Sequence, residues 1–113
     1  MSSVPAQPSR KPRNPKIYKK AEAIKSDLDR FISKIQKASS YQPERADVAK
    51  YAIEINDLIM NNREQVRSFE SYLKAAIIDL TEIPEMHPQM QRISFLAALK
   101  DASYKIQLFL DCC

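Results

Sequence analysis

The sequence contains no glycine and no tryptophan, and among its 113 residues there are one histidine and two cysteines. Glycine is the residue that takes positive φ without steric cost, so tight hairpins and strained loops depend on it. A chain without it is most simply built from helices joined by plain turns. Phosphate-cradling loops need glycine for the same reason, which argues against nucleotide chemistry. His87 stands alone, and Cys112 and Cys113 are adjacent, so the spaced ligand pairs of a structural zinc site are missing. No Glu-x-x-His pair is present to build a di-iron bundle. A nucleophilic site would have to assemble around His87 alone. The expectation is therefore a protein with no cofactor, no metal and no enzymatic activity, in which His87 caps a helix or faces solvent.

Two neighbouring cysteines cannot frame a small domain with disulfides, which points to a reducing compartment, cytoplasm or nucleus. No apolar run approaches the roughly 18 residues needed to cross a bilayer, and no signal-peptide segment is evident. Neither membrane spanning nor secretion is expected.

What is present is an ordinary globular composition, 44% hydrophobic and 28% charged, in a length that suits one domain. The net charge of +4 is unevenly placed. Arg10, Lys11, Arg13, Lys16, Lys19 and Lys20 lie within the first 20 residues, where there is no acidic side chain. The rest of the chain carries 12 basic and 14 acidic residues. A basic segment thus precedes a mildly acidic body. Residues 1–14, rich in Pro, Ser and basic side chains, have nothing to bury and read as a disordered tail. Residues 15–113 read as a helical bundle.

Asn14-Pro15 has the form of an N-cap followed by proline at the first helical position. Beyond it, Ile17, Ala21, Ile24, Leu28, Phe31, Ile35 and Ala38 recur at 4-3 spacing, a heptad seam. Ser39–Gln42 ends that helix and Pro43 opens the next. Val48, Ala52, Ile55, Ile59, Asn62, Val66, Phe69, Leu73, Ala76, Leu80 and Ile83 continue the rhythm, with Asn62 the one polar member. Two readings follow. Asn62 with Gln65, or Asn61 with Glu64, resembles a capping box that would break the stretch in two. Alternatively Asn62 is a polar register-setting residue inside one helix of about 40 residues and about 60 Å. Because the rhythm keeps phase through the asparagines, the continuous helix is the expected one. Ile83–His87 is a connector, and Pro88 opens a last helix with Phe95, Leu96, Leu99, Ala102, Ile106, Phe109 and Leu110 on its apolar face. The predicted fold is all-α: an antiparallel bundle of three helices with a long central helix, or of four if the chain breaks at Asn61-Asn62.

Ile53, Met60 and Ile78 lie roughly 120–140° around the central stretch from its main seam. Two flanking helices cannot cover every apolar row of a long rod, so these residues are the candidate contacts for a protein partner or a second copy, with Asn62 fixing register. The main reading is a helical protein–protein interaction module, an adaptor or assembly subunit. An alternative is a nucleic-acid-associated regulator whose basic segment contacts phosphate without reading bases; Arg10-Lys11-Pro12-Arg13 also has the form of a short import cluster. The terminal Cys112-Cys113 resembles the carboxyl end of Rab-type small GTPases, where both cysteines are prenylated, although no GTPase phosphate loop accompanies it. That resemblance implies a peripheral membrane adaptor lipidated at the pair. Phe109 and Leu110 favour the plainer reading, in which the cysteines finish the apolar face of the last helix.

Removing residues 1–14 is expected to leave helicity and melting temperature almost unchanged, because the segment has no core residues to lose. A circular-dichroism melt of the truncated chain checks this, and a substantial fall in Tm would show the tail docked on the body.

Overall fold

A computed structural model describes residues 14–67 and 69–112. Arg10, Lys11 and Arg13 of the basic tail, and Cys113 of the terminal pair, lie outside the described residues. Among those described there are five helices and no strand: α1 (Pro15–Lys37), α2 (Arg45–Asn61), α3 (Arg63–Val66), α4 (Glu70–Thr81) and α5 (Pro88–Cys112). Asn14 occupies the N-cap position of α1 with Pro15 behind it, and its carbonyl accepts the Tyr18 N–H at 2.9 Å. At the start of α2 the Asp47 carboxylate accepts the Glu44 N–H at 3.1 Å, which satisfies one donor that the helix itself cannot.

The heptad seams become the core. Ile17, Ala21, Ile24, Leu28 and Ile35 of α1 are buried, as are Val48, Ala52, Ile55 and Ile59 of α2, Leu73, Ala76 and Leu80 of α4, and Phe95, Leu99, Ala102, Ile106 and Phe109 of α5. Phe31 is half-buried while its neighbour Ile32 is buried. The shift arises because α1 packs against two helices, α2 and α5, so residues on both sides of the seam find cover.

The central stretch is not one rod. Asn62 has φ −138° and ψ 37°, outside helical values, and ends α2. A second interruption follows, since α3 ends at Val66 and α4 begins at Glu70, and the Phe69 N–H bonds back to the Val66 carbonyl at 2.8 Å. α4 then folds back onto α2. The expected three-helix bundle with a continuous central helix is therefore corrected to four long helices with the single turn of α3 in the α2–α4 connection. Asn62 is neither a buried seam residue nor a side-chain N-cap. Its amide Nδ2 donates to the Leu58 carbonyl at 2.9 Å, closing the end of α2. The physical reason for the reversal is coverage: in a straight rod the apolar rows of residues 48–59 and 73–80 would each meet one flanking helix, and folding back buries each against the other as well.

The four long helices form a ring in which α1 packs on α2, α2 on α4, α4 on α5 and α5 on α1. Neighbours run antiparallel. Ser103 of α5 reaches Asp29 of α1 while Arg92, earlier in α5, reaches Ile35, later in α1. Lys20 and Ile24 share a groove with Leu58 and Asn61, whereas Phe31 stacks near Tyr51 at 5.8 Å. The Arg45 guanidinium at the start of α2 donates to the Ile83 carbonyl just past α4, at 2.7 Å.

Asn62→Leu is expected to destabilise the protein by about 1 kcal/mol, because it removes the bond that caps α2 at Leu58 and adds an apolar side chain at a partly exposed bend. Urea unfolding measures it, and a stabilised variant would contradict the break.

Candidate interaction surfaces

Two polar clusters hold α5 in register against the rest of the bundle. The Arg92 guanidinium donates to the Ile35 carbonyl in the last turn of α1 and to the Tyr41 carbonyl just after that helix. There it satisfies acceptors that a helix terminus leaves open and adds a cation where the helix dipole favours one. Further along, the hydroxyl of Ser103, the one buried polar residue among those described, donates to Asp29 Oδ1 at 2.5 Å, and Lys25 pairs with the same carboxylate at 2.7 Å. Arg45 adds a cation over the Phe95 ring at 5.5 Å. The surfaces described next are therefore carried on fixed helices.

Ile53, Met60 and Ile78 are exposed, at 62, 53 and 52%. With the chain folded back they do not form a single row: Ile53 and Met60 lie seven residues apart on α2, and Ile78 lies on α4. Asn62, expected among them as the register residue, is half-buried at the end of α2 beside the α1–α2 groove. Ile78 instead joins a groove of about 390 Å³ between α4 and α5, whose apolar walls include Ile83, Pro84, Ala97 and Ala98 and whose polar wall includes Asp79, Glu82 and Asp101.

That groove opens onto an apolar stripe that the sequence reading missed. Met90, Ile93, Ala97 and Tyr104 are all exposed on α5. Their spacing of 3, 4 and 7 puts them on one helix face, away from the buried Phe95, Leu99, Ala102 and Ile106. The signal was present in the sequence, but the larger side chains on the opposite face drew the assignment. Exposed Met86 extends the stripe into the connector. Gln91 fixes it there, accepting the Met86 N–H at 2.8 Å and donating to the Pro84 carbonyl at 3.1 Å, and the Ser94 hydroxyl meets Met86 Sδ at 3.0 Å. His87 is exposed in the same connector, and its carbonyl accepts the Gln91 N–H.

α1 carries the largest group of exposed cations among the described residues, with Glu22 and Asp27 exposed among them. Lys16, Lys19 and Lys20 are exposed on α1, as are Arg30, Lys34 and Lys37 further along. A shallow cleft between α1 and α2 is lined by Asp27, Arg30, Phe31, Lys34, Lys50 and Tyr51. Asp27 pairs with Arg30 at 2.6 Å, while Lys34 lies 4.6 Å from the Tyr41 ring centre and Lys50 lies 5.4 Å from that of Tyr51. Cys112 is half-buried at the end of α5. Among the described residues no three His, Cys, Asp or Glu side chains converge as a metal site would require. No helix among them is long and apolar enough to cross a membrane.

Burial raises the pKa of the Tyr51 hydroxyl above its ordinary value of about 10, and the negative charge of Asp27 adds to the effect. The folded protein therefore holds this proton to higher pH than the unfolded chain does. The contribution to stability is whole below pH about 10 and is lost as pH rises through the folded value. Ultraviolet titration should find one phenol ionising late, together with alkaline unfolding; Tyr51→Phe should remove the late step. Simultaneous titration of all tyrosines at the ordinary value would place Tyr51 in water.

Compared with known proteins, the chain matches no family model, no curated protein and no solved structure.

Proposed function

We propose that the protein is a non-enzymatic helical interaction module, an adaptor or assembly subunit that binds a protein partner by helix-on-helix packing. The observation that supports this most is the apolar surface across α4 and α5. There Ile78, Met86, Met90 and Ile93 stand exposed around a groove although the bundle core is already complete without them. Scattered apolar residues are normal on a protein surface, but a run of them on adjoining elements is characteristic of a contact site. Ala97 and Ala98 in the groove wall would let another backbone come close. Ile53 and Met60 on α2 are a smaller candidate for the same role.

A second reading draws on the exposed cations of α1. Lys16, Lys19, Lys20, Arg30, Lys34 and Lys37, continued by Arg10, Lys11 and Arg13, would give salt-sensitive attraction to phosphates of nucleic acid. Asp27, Glu54 and Asp57 share the grooves beside them, which weakens that field.

Affinity purification from native cells, using the full chain as bait, tests the main reading. The doubly substituted Ile78→Asp/Ile93→Asp chain should lose its partners while keeping its melting temperature, because both side chains are exposed. Ile53→Asp/Met60→Asp should retain most of them. Retention of every partner by both double variants would overturn the proposal.

A further inference from the structure

The charges around the α4–α5 surface are unevenly placed. Residues 70–112 hold four Lys or Arg and six Asp or Glu. Three of the four cations are already committed: Lys74 to Glu70 at 2.9 Å, Lys105 to Asp79 at 2.6 Å, and Arg92 to backbone carbonyls of α1 and the turn after it. Glu82, Glu85 and Asp101 are exposed and have no cation within ion-pair distance among the described residues. Among the described residues of 70–112, Lys100 is the one ammonium without an ion pair. Glu82 and Asp101 line the groove itself together with Ile78 and Ala97. Glu85 is the residue before Met86 in the connector that Gln91 clamps. The surface is thus an apolar strip edged by unpaired carboxylates.

From this juxtaposition we infer that the occupant of the α4–α5 surface is a basic amphipathic helix, its apolar side on Ile78, Met86, Met90 and Ile93 and its cations over Glu82, Glu85 and Asp101. The inference rests on the reading of this surface as a contact site and names the chemistry of what it takes. A helix suits the shape. The face from Met90 to Tyr104, with Lys100 and Asp101 in the turn between Ala97 and Tyr104, runs about 21 Å, four turns of a partner lying alongside. No strand among the described residues offers an edge on which an extended peptide could pair. Methionine suits the task too, because its unbranched side chain adapts to the helix it meets. A second copy fits less well. An isologous contact would set the same three carboxylates against themselves with one lysine in each copy to offset them. An anionic lipid surface would be repelled by the same charges.

The test pans the full chain against a displayed library of roughly 15-residue helices, the length the stripe accommodates, with leucine fixed at one face and Lys, Glu, Gln or Ser free elsewhere. Counter-selection uses Met90→Asp/Ile93→Asp, whose unchanged melt confirms its fold. Enriched helices should be cationic and bind more weakly as salt rises. They should lose about tenfold in affinity for Glu82→Lys/Asp101→Lys, where like charges now face each other. Neutral or acidic winners, or winners indifferent to the carboxylate reversal, would overturn the basic partner while leaving the contact site standing. If no winner distinguishes the wild-type chain from the Met90/Ile93 variant, the contact site falls as well. Sedimentation of the purified chain adds the remaining outcome: a dimer that the same variant dissolves would show a second copy on this face and overturn the inference.

Discussion

Two apolar rows in one stretch of chain, residues 48–59 and 73–80, have to be removed from water, and the reversal between them is what the rest of the structure depends on. An isolated helix of this length gains little from propensity alone, so its stability must come from packing. A straight rod would offer each row to α1 or α5 singly. Turning at Asn62 and again between α3 and α4 gives each row a partner of its own chain and sets α1 and α5 side by side to close the ring. Val66, in the one turn of α3 between the breaks, is itself buried, so even the connection contributes to the core.

Apolar packing of this kind is not strongly register-specific, since a heptad seam slipped by one repeat meets similar neighbours. The polar contacts supply what the seam does not. Ser103 can reach Asp29, and Arg92 the end of α1, in only one alignment of the two helices. Arg45 likewise ties the beginning of α2 to the chain just after α4. Each bond contributes on the order of 1 kcal/mol net, small beside the core, but losing one leaves a partly buried polar group without its partner. That asymmetry disfavours misaligned bundles more than it favours the correct one.

How much of this was legible in the sequence varies with the range of the cause. Helix content and most core positions followed from local spacing: Ile17, Ala21, Ile24, Leu28 and Ile35 in α1 and Phe95, Leu99, Ala102, Ile106 and Phe109 in α5 are where the periodicity put them, whereas Ile32 takes the place expected for Phe31 and Leu96 is half-buried. The break at Asn62 was visible as an alternative but not decidable, because a heptad keeps its phase across a turn whenever both arms share one core. The second break, between α3 and α4, carries no glycine or proline and had no local signal. It is imposed by α4 meeting α2, a contact between residues far apart in the chain. The groups that place α5, Ser103 on Asp29 and Arg92 on Ile35, are long-range for the same reason. On the surface side, the exposure of Ile53, Met60 and Ile78 followed from their angle around the helix, whereas the outer face of α5 was passed over in favour of its bulkier inner one.

That outer face is also where composition and geometry bear on each other most directly. A bundle helix needs one apolar stripe, and in α1 the side away from the core carries charged and polar residues with no large apolar side chain. α5 departs from this, with Met90, Ile93, Ala97 and Tyr104 on the side away from its core seam. Leaving them in water forgoes the roughly 25 cal/mol per Å² that burial would return, and nothing in the bundle gains from that exposure. Cations are more numerous on α1, although Glu22 and Asp27 stand among them, and the carboxylates Glu82, Glu85 and Asp101 gather beside the α4–α5 groove. A basic partner of the kind proposed would be drawn toward the carboxylates beside the α4–α5 groove, where an apolar seat adjoins them. In such an arrangement the charge chooses the face and the apolar stripe supplies the affinity.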